Sequence, residues 1–366
     1  MSNEPRTRAK LGTRQVNLMR YHIVTYGCQM NKSDSERIAS VLENIGYQPT
    51  SKESEVDLIV VNMCSVRQSA VDRGFGVSQK IAKLKTQNSK LKTVLTGCIL
   101  KKDKKKFREI FDSIWDMKNY FKIPPKCQNK TLAYVPISNG CNNACTYCVV
   151  PFTRGPLVCR DHKEILKEVK NVIQKRLNPI RNAISNGARE IWLLGQNVND
   201  YTSPSDSSIN FPKLLQMVND IPGNFSIRFI SPNPKNFSDE LIDVMAKSKK
   251  VAKFLNLPVQ SGDDKILKKM NRPYTVLQYK NLVKKIRKKI PNINISTDVI
   301  VGFPGETKKQ FENTKKLVED INFDLAYISK YSPRPGTVAS RLKDNVSVRE
   351  KKRREKILRE IINKND

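Results

Sequence analysis

From residue 21 the chain alternates short apolar runs with longer amphipathic stretches. Residues 21–26, 56–62 and 91–96 are apolar and strand-sized. Ile38, Val41, Leu42 and Ile45 recur at helical spacing behind Ser33, which can cap a helix running to about Asn44. A second helical stretch runs to about Lys85, and a Lys-rich helix follows Gly97 and Cys98. This alternation predicts an N-terminal α/β domain on a parallel sheet, residues 21–121.

Residues 122–130 contain Pro124-Pro125 and read as a linker. Beyond them the alternation restarts. Strands are expected at 133–138, 190–194, 226–230, 254–258, 293–301 and 324–329. Helices are expected at 239–247, 276–289 and 308–320, with a highly charged helix from Val348 to about Asn363. Six βα units predict a partial or full β/α barrel over residues 131–366. Residues 1–20 are polar and basic, with Arg6, Arg8, Lys10, Arg14 and Arg20 against the single acid Glu4. They read as a disordered leader, or alternatively as an organellar transit peptide.

Charge adds a partner class. Lys plus Arg number 67 and Asp plus Glu 35, a formal net charge of +32. A field of that sign attracts polyanions, nucleic acid among them; lysines scattered over solvated helix faces are the alternative, but the excess is too large for a solubility device alone and favours nucleic acid. No stretch approaches the ~18–20 uninterrupted apolar residues of a membrane span, and the first residues lack a secretory apolar region. A cytoplasmic location is expected.

Eight cysteines stand at positions 28, 64, 98, 127, 141, 145, 148 and 159. In a reducing compartment clustered thiols point to metal or catalysis rather than disulfides. Cys141, Cys145 and Cys148, spaced four and three apart, can wrap one face of a [4Fe–4S] cube and leave its fourth iron open. A closed zinc site would need a fourth ligand from Cys127, Cys159 or His162. Cys28, Cys64 and Cys98 each fall just past a predicted strand of the first domain. A parallel sheet puts those strand ends on one edge, where ligands bind, so a second three-thiolate site is expected; three buried free thiols are the alternative. Cys127 and Cys159 receive no role. His22 lies inside a strand, and His162 opens a helix in a capping or surface position. There is no Ser-His-Asp arrangement, Walker loop or His-Glu-x-x-His.

The CxxxCxxC loop with Tyr147 before its last cysteine resembles the radical S-adenosylmethionine (SAM) superfamily. The motifs TYGCQMNKSDSE (25–36), NMCSVRQSA (62–70), LTGC (95–98), VPISNGCNNACTYCVVPFTRG (135–155), LLGQNVNDY (193–201), LPVQSGDDKILKKMNR (257–272), DVIVGFPGET (298–307) and SPRPGT (332–337) resemble the methylthiotransferase family. GCQMN after the first strand points to the branch acting on tRNA. The resemblance covers residues 20 to about 360.

It implies two [4Fe–4S] clusters and SAM as cofactors. Cys141, Cys145 and Cys148 would hold the cluster that binds SAM. Cys28, Cys64 and Cys98 would hold an auxiliary cluster carrying the sulfur. The reaction implied installs methylthio at C2 of N6-isopentenyladenosine beside the anticodon, consuming two SAM per product. The implied partners are the tRNA anticodon stem-loop and a one-electron donor such as a flavodoxin or ferredoxin, with no membrane and a monomeric chain. Tyr147, Gln196, Asn197, Gln260, Ser261, Gly302 and Glu306 would contact SAM; otherwise they are packing or turn residues. Arg154 would meet the SAM carboxylate, an RNA phosphate or a surface acid.

Three departures from the family stand out: no C-terminal TRAM β-barrel before Asp366, a longer segment between Lys170 and Ala188, and Cys159-Arg160-Asp161 after the cluster loop. The competing readings are methylthiolation of threonylcarbamoyl-adenosine tRNA or of a ribosomal-protein aspartate, and a non-catalytic RNA-binding protein with structural zinc.

Overall fold

The computed structural model describes residues 18–66, 68–116, 119–126, 131–174 and 188–363. The expected leader up to residue 17, the end of the linker with Cys127, and most of the long segment before Ala188 lie outside the described residues.

The first domain is a five-stranded parallel sheet: β1 (Arg20–Tyr26), β2 (Gln48–Pro49), β3 (Leu58–Cys64), β4 (Lys92–Cys98) and β5 (Ser113–Ile114), in the order β2-β1-β3-β4-β5. Central β3 is buried along its whole length, as expected of a parallel strand covered on both faces. Tyr21, Ile38, Leu42, Val60 and Val94 pack one face; Val61, Met63, Leu95, Ile81 and Phe107 pack the other. The covering helices are α1 (Gln29–Asn44), α2 (Gln68–Gln87) and α3 (Lys101–Phe107).

Boundaries differ from the sequence reading at α1 and at β3 and β4. Helix α1 begins a turn earlier than Ser33, because Cys28 is its extended N-terminal flanking residue and its amide donates to Asn31 Oδ1 at 3.3 Å. Strands β3 and β4 run two residues further than expected, so Cys64 and Cys98 end their strands instead of following them. Gly97 permits this extension. Its φ is +113°, and a Cβ there would lie 2.0 Å from the Met63 carbonyl oxygen.

The second domain runs through β6 (Leu132–Pro136), β7 (Ser138–Asn139), α4 (Val150–Thr153), β8 (Val158–Cys159), α5 (His162–Gln174), β9 (Glu190–Leu194), α6 (Phe211–Asn219), β10 (Ser226–Phe229), α7 (Asp239–Lys247), β11 (Phe254–Asn256), α8 (Asp264–Lys269), α9 (Val276–Lys289), β12 (Asn294–Val301), α10 (Lys308–Ile321), β13 (Leu325–Lys330) and α11 (Val348–Asn363). Strands β6, β9 and β10 form one parallel sheet, and β11, β12 and β13 another. An isolated parallel bridge pairs Ile227 of β10 with Val251, which precedes β11. The result is the expected partial (β/α)6 barrel, its interior filled by residues such as Val135, Leu193, Ile227, Leu255 and Val299. The expected strand at 133–138 is interrupted: β6 ends at Pro136, and Ser138–Asn139 turns to pair antiparallel with β8.

The domains meet along α1. Met30 packs with Tyr134 and Leu194 of the barrel. Fully buried Arg37 binds Glu168 of α5 at 2.6 Å, and Arg160 binds the same carboxylate at 2.8 Å. Shared by two guanidiniums, that buried carboxylate is compensated.

Candidate functional site: two thiol trios at a domain junction

Cys64 and Cys98 are Cα partners in the β3–β4 register. The ladder continues one residue on, where Ser65 N donates to Cys98 O at 2.7 Å. Their side chains hydrogen-bond to each other, which holds the Cys64 thiol low and, together with burial, pushes Cys98 well up. Cys28, at the start of α1, lies close enough for its charge to act on Cys64 and for that of Cys98 to act on it. It keeps an exposed surface while Cys64 and Cys98 are buried, yet crowding by protein still raises its thiol. The three expected thiols thus share one sheet edge.

The loop carrying the other trio leaves β7 and is clamped from several sides. Thr146 N donates to Met270 O at 3.1 Å, Thr146 Oγ1 to Lys269 O at 2.8 Å, and Asn271 Nδ2 to Ala144 O at 2.9 Å. Ala339 N donates to Thr146 O at 2.8 Å. Each sulfur also receives a donor. Asn143 offers its amide and Nδ2 to Cys141 Sγ, both at 3.4 Å, Val150 N points to Cys148 Sγ at 3.5 Å, and Arg272 Nη1 to Cys145 Sγ at 3.6 Å. Donors aimed at sulfur stabilise thiolates and tune iron–sulfur ligands. Burial pushes the Cys148 thiol up to about 12, so binding a cation there releases a proton.

Among the described residues no three His, Cys, Asp or Glu side chains converge to hold a single metal ion. A cubane takes one thiolate to each iron, so its donors need not converge on a single ion. The all-sulfur donor sets and their N–H partners fit such a cluster.

The expected SAM contacts are distributed as follows. Tyr147 packs against Ile266, Met270, Phe303 and Tyr331. Asn197 is buried, with Oδ1 unpartnered; Ser138 Oγ is buried and unpartnered too. Bare buried acceptors of this kind call for a polar ligand. Gln196 is committed locally, its Oε1 accepting from Gly140 N at 2.5 Å just before Cys141. Gly140 has φ +81°, and a Cβ there would collide with the Pro156 carbonyl oxygen at 2.0 Å. Gln260 adopts φ +70° and pairs beside Val299. Ser261 faces Thr314 of α10, Oγ to Oγ1 3.4 Å. Glu306 accepts from Gly302 N at 2.6 Å and pairs with buried Arg354 of α11 at 2.7 Å. Gln196 and Ser261 are therefore held by protein partners, whereas Glu306 is held through Oε2 alone and its buried Oε1 is unpartnered.

Sequence reasoning missed several side chains, Ser138 and Arg334 among them. Arg272 and Asn143 touch the loop sulfurs, and Asp34 faces the first trio through Arg154. Their only signal was position within or beside the quoted motifs. His162 also differs from its expected surface position: it is buried, with Nδ1 2.8 Å from Ser203 Oγ.

Arg154 joins the two trios. Six residues past Cys148, it is buried with Nε 2.9 Å from Cys98 Sγ, Nη1 2.9 Å from Asn139 Oδ1 and Nη2 2.8 Å from Asp34 Oδ2. Burial works to lower the guanidinium's pKa; Asp34, Cys98 and Cys28 outweigh it and hold it above its ordinary value. The acid it meets is buried in the first domain, not at the surface. Arg334 lies close enough to Cys64 for their charges to interact, its Nη1 2.9 Å from Gln68 Oε1.

Residues 135–318 match the model of the Radical SAM superfamily, and residues 20–116 that of the uncharacterized protein family UPF0004. A protein of Thermoanaerobacter sp. strain X514 named tRNA-2-methylthio-N(6)-dimethylallyladenosine synthase is 42% identical over 94% of this chain and 78% of its own length. A protein of the same name from Yersinia pseudotuberculosis is 39% identical over 93% and 77%. Among solved structures, the radical SAM methyltransferase TsrM of Kitasatospora setae superposes with a TM-score of 0.63 at 13% identity, over 88% of this chain and 77% of that one. The cobalamin-dependent radical SAM enzyme OxsB gives 0.60 at 11% identity, over 95% and 56%. At such identities these two establish the fold.

Proposed function

Because this chain belongs to the tRNA-2-methylthio-N(6)-dimethylallyladenosine synthases of the radical SAM superfamily, we propose that it installs a methylthio group at C2 of N6-isopentenyladenosine beside the tRNA anticodon. Cys141, Cys145 and Cys148 are the residues that would hold the SAM-binding [4Fe–4S] cluster, and Cys28, Cys64 and Cys98 those that would hold a second. When bound, these groups and SAM supply the radical that opens an unactivated aromatic C–H bond and the sulfur that replaces the hydrogen.

The single observation that carries this reading is the reach of Arg154 from the foot of the 141–148 loop to Cys98. It ties both thiol trios to one domain junction, as a reaction needing both on one base requires. The chain's own residues do the holding. Asn143, Val150 N and Arg272 direct donors at the loop sulfurs, and the buried acceptors Asn197 Oδ1 and Ser138 Oγ are suited to polar groups of SAM. The RNA side of the reading is supported by α3. It begins three residues after Cys98 and carries Lys101, Lys102, Lys104, Lys105 and Lys106, a phosphate-binding charge beside the first trio. The target base leaves its stack to enter. A one-electron donor such as a flavodoxin or ferredoxin completes the partners, and the chain acts as a cytoplasmic monomer.

The test uses the anaerobically reconstituted full chain, a reductant, SAM and an anticodon stem-loop RNA carrying isopentenyladenosine. The expected products are 5′-deoxyadenosine and methylthiolated isopentenyladenosine, read by mass spectrometry. 5′-Deoxyadenosine without modified RNA would overturn the substrate; tight zinc with no SAM cleavage would overturn the enzyme.

A further inference from the structure

The first thiol trio is not finished by its own domain. Cys28, Cys64 and Cys98 belong to the N-terminal domain, whereas the donor at Cys98 Sγ comes from the barrel domain. Arg154 is 8% exposed and spends its other two edges on Asn139 of the barrel and Asp34 of α1. A planar guanidinium fixed at three points cannot swing to solvent without breaking all three bonds. Three thiolates gathered at a buried edge repel one another, and a cation in hydrogen-bond contact lowers that cost. Arg334, also buried and also from the barrel, adds a second positive charge near Cys64. Helix α1 itself contributes a carboxylate, Asp34, whose charge would oppose the trio were it not spent on Arg154.

Resting on the two-cluster reading above, we propose that Arg154 is a positioning residue for the sulfur-donor site: supplied by the barrel domain, it holds the Cys98 thiolate so that the 28/64/98 trio retains iron only while the two domains are docked. Its partners divide the work. Asn139 and Asp34 set the plane of the guanidinium, and Nε meets the sulfur. A lysine has one charge but no fork, and keeps the attraction without the geometry.

The experiment confines iron to one trio at a time. In a Cys141→Ala/Cys145→Ala/Cys148→Ala background, iron occupies the first trio only; in a Cys28→Ala/Cys64→Ala/Cys98→Ala background, the loop only. Arg154→Gln and Arg154→Lys are placed in each, and iron loss to a chelator is timed anaerobically. Arg154→Gln is expected to speed loss from the first trio at least tenfold and leave the loop's rate and absorption spectrum unchanged, with Arg154→Lys between parent and Gln. Equal rates in Gln and parent, or equal acceleration at both trios, would overturn the proposal, the latter because it would make Arg154 a general fold holder. Retention of the loop spectrum by Arg154→Gln reports that the chain is folded. If the first trio takes up no iron even with Arg154 present, the two-cluster reading itself fails, an outcome distinct from an Arg154 that has no effect.

Discussion

Cys64 and Cys98 face each other as register partners at the last rung of two neighbouring parallel strands. Neither thiol can leave the edge without unpairing its strand. Cys64→Ala should therefore remove about four of about eight irons per chain and keep the loop cluster's spectrum, while Cys145→Ala should do the reverse. Iron and sulfide analysis of the two anaerobic variants checks this; loss of both clusters from either variant would contradict independent sites.

Gly97 precedes Cys98 with a backbone conformation that L side chains avoid, and the Met63 carbonyl oxygen occupies the place of its missing Cβ. Gly97→Ala should cost about 1–3 kcal/mol from the strained φ, with the collision adding to it. Denaturant unfolding should show the loss, and iron retention by the first trio should fall with it.

Gln196 braces the cluster loop through Gly140 N. Gln196→Met, close in shape but without the acceptor, should destabilise by about 1 kcal/mol and speed loss of loop iron. Gln196→Glu keeps the acceptor and should behave like the parent. Titration of SAM into the iron-retaining fraction of Gln196→Met separates bracing from SAM contact: bracing leaves the affinity unchanged.

Arg354 and Glu306 form an ion pair buried on both sides between α11 and the loop after β12. Arg354→Met leaves a carboxylate buried with its cation gone, and should cost about 3–5 kcal/mol. Adding Glu306→Leu should recover most of that loss, because the stranded charge is gone. Unfolding curves of the single and double variants close the cycle.

Glu350 is held by Arg353 at 2.7 Å and by Arg354 at 2.8 Å. The Arg353 hydrogen bonds lead in lowering its carboxyl from 4.5 to about 2; burial opposes and Arg354 assists. A depressed carboxylate contributes its full stabilisation above its unfolded value near 4.5 and loses it as pH falls toward 2. Glu350→Gln should therefore be less stable than the parent at pH 7 by about 1 kcal/mol once solvent screening is allowed for. The gap should narrow below about pH 4.5 and close as pH falls through about 2, as read by thermal unfolding across pH.

Local pattern carried much of this protein into view. Helical spacing placed α7, α9 and α11 at their observed bounds, apolar runs located β9 and β12, and the spacing of Cys141, Cys145 and Cys148 put three thiols on one short loop without reference to anything distant. Even the meeting of Cys28, Cys64 and Cys98 followed from sequence, because parallel strands present their ends on one edge. Side-chain partners across long separations did not follow. Arg154 turning to Asp34 and Cys98, Glu306 taking Arg354, and Gln196 taking the Gly140 amide each depend on which surfaces dock. A buried charge or amide takes whichever partner tertiary packing brings within hydrogen-bond reach, and chain order does not encode that distance. The last two residues of β3 and β4 were hidden for the same reason: the ladder was lengthened by a close approach at Gly97, which only the neighbouring strand makes necessary.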